Sequence, residues 1–203
     1  MSILKKILPI SVTIVMILLA GWANGGTKKE TTVSDSVQII KVEGTIDKYF
    51  TKMSDLMVSS TNVIECIVLD TNTIIYGDIP FTISNVSILN NIKGDIKTDT
   101  IKIIETGGRY KLAGNNPKEE KGLEVDYQFE GIPVVQKGEH LYLFLEPFIG
   151  PQVKDAYIPL GVFQGKFKVL QNNKVEQQVP SIFKLKDYRE SEKAEFDKMT
   201  KNK

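Results

Sequence analysis

From Val63 onward the chain is dominated by short β-prone runs divided by glycine and asparagine corners, and that pattern limits its fold more than anything else in it. Val63–Leu69 is apolar except for Glu65, the signature of a largely buried strand. Phe81–Leu89 alternates between two faces, and Ile101–Glu105 is a third strand that Gly107 and Gly108 are expected to stop, at a corner where glycines let a barrel strand bend sharply. His140–Leu145 is the strongest strand signal in the chain. Shorter strands are expected over Tyr157–Phe163, Gly165–Leu170 and Lys174–Val179, with Asn172-Asn173 marking a hairpin. Such a succession predicts a mainly β fold that closes into a small barrel.

Other elements flank or interrupt these strands. Val37–Val42 is a short β-prone run. Asp47–Ser59 carries Tyr49, Phe50, Met53, Leu56 and Met57 at helical spacing, so a helix is predicted there, capped by Thr45 or Asp47. Asn91–Thr100 reads as a turn region. Residues 110–131 read as a long excursion and 147–156 as a loop, and loops on a rigid barrel carry most recognition. The tail beyond Asp187 is highly charged and reads as a solvated helix anchored by Tyr188, Phe196 and Met199.

Composition removes several classes of function. With 203 residues the chain suits one domain, or two small ones. Its 26 basic and 25 acidic side chains leave no polybasic surface for nucleic acid. One cysteine excludes an internal disulfide framework and a multi-cysteine zinc site, and one histidine excludes a metal site built on several histidines.

The first 23 residues differ from the rest. Lys5 and Lys6 precede the uncharged apolar run Ile7–Leu19, and the small residues Ala20, Gly21 and Ala23 follow. Positive, apolar, then small is the order of a signal peptide, and the run is shorter than the roughly 20 residues that span a bilayer. Cleavage after Ala23, retention as a membrane anchor, and descent from a lipoprotein signal with Trp22 in place of the lipidated cysteine remain three readings of this segment. Residues 24–35 form a polar linker with two glycines. The expected organisation is an export segment over 1–23, a linker over 24–35, a β-barrel domain over 36–185 and a charged tail over 186–203.

Four stretches carry a resemblance. They are Val63–Val68, Val86–Gly94 with its closing Lys-Gly turn, Gly138–Leu145 with Gly-Glu ahead of Tyr-Leu-Phe-Leu, and Tyr157–Phe167 with Gly161, Gln164 and Gly165. In their order and spacing, over about residues 55–170, they resemble a group of uncharacterised exported proteins of Gram-positive bacteria. The layout is also similar to the OB-like barrel of netrin and tissue-inhibitor-of-metalloproteinase domains, a likeness of fold alone. It implies a small OB-like antiparallel barrel. The inhibitors' disulfide-held N-terminal cysteine has no counterpart, because the one cysteine, Cys66, lies inside an apolar strand.

The chemical candidates are sparse. Cys66 with His140 as base would make a nucleophilic pair, but a cysteine in an apolar strand beside Glu65 reads as a buried hydrophobe. Asp70, Asp78, Glu105, Asp126, Glu130 and Glu146 lie near strand ends, where two of them would have to converge to act as acid and base. Tyr142, Phe144, Tyr157, Phe163 and Phe167 read as core and cross-strand pairs before a stacking platform. No catalytic, cofactor or metal residues are assigned. The candidate ligand-binding residues are Tyr110, Tyr127, Phe129, Phe148 and Tyr157, in or beside the two long loops. The expectation is an exported binding module without catalytic activity, secreted or held at the outer face of the cytoplasmic membrane. Its partner would be a protein or a cell-wall polymer, with no nucleic acid, and with the membrane met only through the N-terminal segment. A carboxylate-dependent hydrolase of cell-wall polymer and an extracellular protease inhibitor are the alternatives.

Overall fold

A computed structural model describes residues 37–114, 121–150 and 153–201. The expected export segment and linker lie outside these residues. The centre of the fold is a closed ring of five strands. β2 (Asn62–Tyr76) pairs antiparallel with β3 (Ile79–Lys93), β3 with β4 (Thr100–Lys111), and β2 also with β6 (His140–Pro147). The short β7 (Ala156–Pro159) closes the ring, running antiparallel to β6 and parallel to β4. This is the connectivity of a small OB-like barrel, as the strand pattern predicts.

The two strands without alternation have a simple explanation. The first half of β2, through Val68, and most of β6 are buried on both faces. Ile64, Cys66, Val68, Leu141, Leu143 and Leu145 point into the ring with Val86, Ile101 and Ile103. Val63, Tyr142 and Phe144 point outward into a second core with Met53, Leu56 and Met57, Phe167, Val175, Leu185, Tyr188 and Phe196. A strand between two apolar layers reads as a continuous hydrophobic run.

The sheet extends at both ends. β5 (Glu124–Phe129) pairs with the far half of β4, and β1 (Gln38–Val42) runs parallel to β5. On the other side β8 (Lys166–Val169), β9 (Lys174–Gln177) and β10 (Ser191–Glu192) continue from β6. The turn between β8 and β9 holds Asn173 at φ 65°, the left-handed conformation expected of that asparagine pair.

Four expectations need correction. First, Gly107 and Gly108 do not stop β4. Up to Thr106 the strand pairs with β3, and from Gly107 it pairs with β5. The glycines, at φ 119° and 123°, make the bend at which the strand changes partner. A Cβ on Gly108 would overlap Thr82 Oγ1, so the bend has room for glycine only. Secondly, the 110–131 excursion is largely a β4–β5 hairpin, with residues 115–120 outside the described residues.

Thirdly, the first helix, α1, spans only Met53–Ser59, and Thr45 and Asp47 do not cap it. A tertiary clasp overrides the helical period. The Gln164 amide accepts from Phe50 N at 2.8 Å and donates to Phe50 O at 2.9 Å, fixing Phe50 in an extended chain. The Asp187 carboxylate, far along the sequence, accepts from Met53 N at 2.8 Å. At the other end Lys93 Nζ donates to Met57 O at 2.6 Å and to Ser60 O at 2.7 Å, as lysine suits a helix C-terminus. Fourthly, the tail is not a solvated appendage. Its helix α2 (Lys193–Lys201) buries Phe196 among the rings of Tyr142, Phe167 and Tyr188, at 4.6, 5.1 and 5.7 Å between centroids. The boundary expected at 185 falls inside one continuous core.

Candidate functional site

The register of β2, β3 and β4 lays an apolar surface on the outside of the ring. Ile74 lies opposite Phe81, and Ile83 opposite Ile104. Alternation therefore sets Ile74, Tyr76, Phe81 and Ile104 on one outer face. The loop after β6 folds over them, its base fixed by Phe148 N donating to Ala156 O at 2.9 Å. Phe148, Ile149, Gly150 and Val153 form the opposite wall, and the two walls enclose a cleft of about 310 Å³. Among the described residues the lining contains no charged side chain, and its one side-chain polar group is the Tyr76 hydroxyl.

Of the five expected ligand residues, only Phe148 lines this cleft. Tyr157 sits on β7 opposite Ile103 and packs against the ring core. Tyr110 and Tyr127 belong to the β4–β5 hairpin. Phe129 packs on Phe163 at 6.3 Å and lies so close to Gly44 that a Cβ there would fall 2.4 Å from its ring and force the ring to move. The five are not brought together. What sequence reasoning missed is the segment Ile74-Ile75-Tyr76-Gly77-Asp78-Ile79-Pro80-Phe81. Its signal was present: apolar residues crowd both sides of a Gly-Asp turn, where polar ones are the rule.

A polar constellation lies elsewhere, between β2, β6 and α2. Glu65 Oε1 is 2.8 Å from His140 Nε2 and 2.9 Å from Lys193 Nζ, and Lys193 also meets Asp197 at 3.2 Å. Tyr142 OH donates to Asp197. Burial, aided by the bond to Asp197, pushes the Tyr142 hydroxyl well above its usual range. Desolvation works against charge on Lys193 and Asp197. The hydrogen bonds outweigh it, raising the lysine and lowering the aspartate. Every member has a partner, and together they fix α2 to the sheet. Cys66 is not among them. It faces the ring interior, and burial, with the nearby Glu65 charge second, pushes its thiol far up. Burial thus disfavours a thiolate at Cys66.

The strand-end carboxylates mostly scatter. Asp70 accepts from Asn85, Asp126 from Gln128, and Glu130 from Gly44 N. Two, Glu105 and Glu146, line one cleft with Asp47, Lys48 and Thr106. Each is held by a lysine: Glu105 by Lys166 at 2.6 Å, Glu146 by Lys48 at 2.5 Å. Among the described residues no group of three or more His, Cys, Asp or Glu is placed to hold a metal ion, and no helix is long and apolar enough to cross a membrane.

No protein-family model, curated protein or solved structure matches the chain.

Proposed function

We propose that this chain is an exported binding module, working without catalysis at the outer face of the cytoplasmic membrane or after release from it. The cleft between the β2–β3 turn and the β6–β7 loop takes an apolar group of a surface protein or cell-wall polymer. One observation carries this reading: two separate loops converge at one end of a closed barrel on an open, uncharged, apolar cleft. Such clefts on a rigid strand scaffold are where small barrels bind their ligands. The order of charge and hydropathy in residues 1–23 supports the address.

The test uses the full chain and the apolar dye 8-anilinonaphthalene-1-sulfonate, beside pull-down on purified peptidoglycan. Phe148→Ser and Ile74→Ser are expected to remove most of the dye signal and of any retention on the polymer, while Ile182→Ser, on the surface away from the cleft, changes neither. Equal binding by all three variants would overturn the reading. A hydrolase is the second reading, favoured only by the place of Glu105 and Glu146 in the lining of one cleft. Clearing of a cell-wall suspension by the native chain but not by Glu146→Gln would establish it.

A further inference from the structure

Among the described residues, the two loops that form the cleft also carry a group of exposed apolar side chains. The β2–β3 turn presents Ile75, Tyr76 and Ile79 at 50%, 55% and 41% exposure, and the β6–β7 loop presents Ile149 at 96%. Tyr76 and Ile149 face each other across the cleft, so the two tips are neighbours. Other exposed apolar residues, such as Val58 and Leu89, come singly from separate elements, as on most surfaces. The tips hold little charge. Asp78 is the one ionisable acid between Ile74 and Thr82, Pro147–Gly150 has none, and the charges of the β6–β7 loop, Lys154 and Asp155, stand at its far end next to β7.

The chain outside the described residues bears on what covers this end. It contains the apolar run Ile7–Leu19, then the polar residues 24–35, and it joins the fold at β1. β1 enters the sheet beside β5, with Gln38 opposite Val125 and Val125 opposite Tyr110, beyond the bend of β4 at Gly107 and Gly108. Residues 24–36 reach up to roughly 40 Å when extended, enough to let the barrel turn its tips to a surface that holds residues 1–23.

We propose that this end of the barrel docks into the interfacial layer of a lipid bilayer, with Ile149, Tyr76, Ile79 and Ile75 immersed. The proposal rests on the reading that the chain works at a membrane, and it adds a second contact to the N-terminal one. Isoleucines at a loop tip gain by leaving water, and a tyrosine suits the boundary, where its ring is apolar and its hydroxyl stays wet. Without lysine or arginine at the tips, the attachment is apolar. It therefore does not need anionic lipid and does not weaken with salt, unlike a polybasic patch.

The experiment uses the full chain on vesicles of phosphatidylcholine and phosphatidylethanolamine, with and without phosphatidylglycerol. Ile149→Cys and Ile182→Cys are each labelled with a nitrobenzoxadiazole dye, Cys66 being buried. Trp22 reports independently on the N-terminal segment. Blue-shifted emission of the 149 label, quenched by spin-labelled lipid while the 182 label stays in water, is the expected result, unchanged by phosphatidylglycerol or by salt. Tyr76→Ser with Ile79→Ser should lower immersion of the 149 label roughly tenfold or more. If Trp22 is quenched and the 149 label stays wet, the proposal falls and membrane attachment stands. Immersion of the 149 label with Trp22 unquenched upholds the docking surface and removes the N-terminal anchor. If neither is quenched, both fail. Protection of the 149 label that grows with protein concentration and needs no lipid would assign this end to a second copy and also overturn the proposal.

Discussion

Lys166 Nζ lies 2.6 Å from Glu105 Oε1, and both side chains are almost wholly inside the protein. The pair joins β8 to β4. Its remaining valences are met by Pro133 O, which accepts from Lys166, and by Val135 N, which donates to Glu105 Oε2 at 3.0 Å. Taking away one partner leaves an uncompensated charge in the core. Lys166→Met alone should cost about 3–5 kcal/mol in urea unfolding, and Glu105→Leu alone a similar amount. The double variant should recover most of the loss, since two apolar chains of this size leave no buried charge. A double variant as unstable as the singles would refute the account.

Val162 holds φ 65° beside Gly161 at φ 63° in the turn that leads from β7 to β8. A β-branched residue is strained there, while asparagine and glycine are not. Val162 is partly exposed, so little burial is lost on replacing it. Val162→Asn is therefore expected to raise stability by about 1 kcal/mol, read as a higher urea midpoint at unchanged slope. A lower midpoint would mean that the side chain contributes packing worth more than its backbone strain.

Burial raises the hydroxyls of Tyr188, to about 12, and of Tyr142 and Tyr127. A phenol raised in the folded state favours folding below its unfolded pKa, and that contribution is lost as pH climbs through the folded value. Lys193, also raised, loses its ion pairs in the same direction. Stability should thus fall from about pH 10 upward, with Tyr188 accounting for on the order of 2 kcal/mol by pH 12. Absorbance at the tyrosinate band should show the buried phenols ionising only with unfolding. Tyr188→Phe should flatten the alkaline limb, at the cost of about 1 kcal/mol near neutrality for its bond to Val175 O. An alkaline limb identical in native and variant chains would contradict this.

Local chemistry made the barrel legible. Val63–Leu69 and His140–Leu145 advertise strands buried on two faces, and the asparagine pair at 172 and 173 places its hairpin. The misplaced elements are those that distant residues decide. Nothing near Asp47–Lys52 reveals that Gln164 will hold Phe50 extended, and nothing near Gly107 shows that β5 waits to pair beyond the bend. The cleft was half legible. Phe148 stands out in its loop, but Tyr76 and Phe81 become walls only once the β2–β3 register turns them to the same side as that loop. Aromatic residue type selected Tyr110, Tyr127, Phe129 and Tyr157, and convergence depends on strand pairing, which residue type does not encode.

The charged tail shows the same principle in energetic form. Between Asp187 and Lys201 most side chains are polar, and the short helix α2 would be marginal in water. Phe196 decides its position. It is fully buried and touches rings from β6, β8 and the segment before β10. Phe196→Ala should cost about 3–5 kcal/mol, because the surrounding rings cannot collapse into the space. Detachment of α2 would also free Lys193 and Asp197 from Tyr142, so the phenol of Tyr142 should ionise nearer its ordinary range in the variant. Amide exchange should quicken across α2 and β10 before the ring strands β2 and β6. A variant that keeps native stability, or that opens the ring and the tail together, would show that the second core does not depend on this residue as its contacts require.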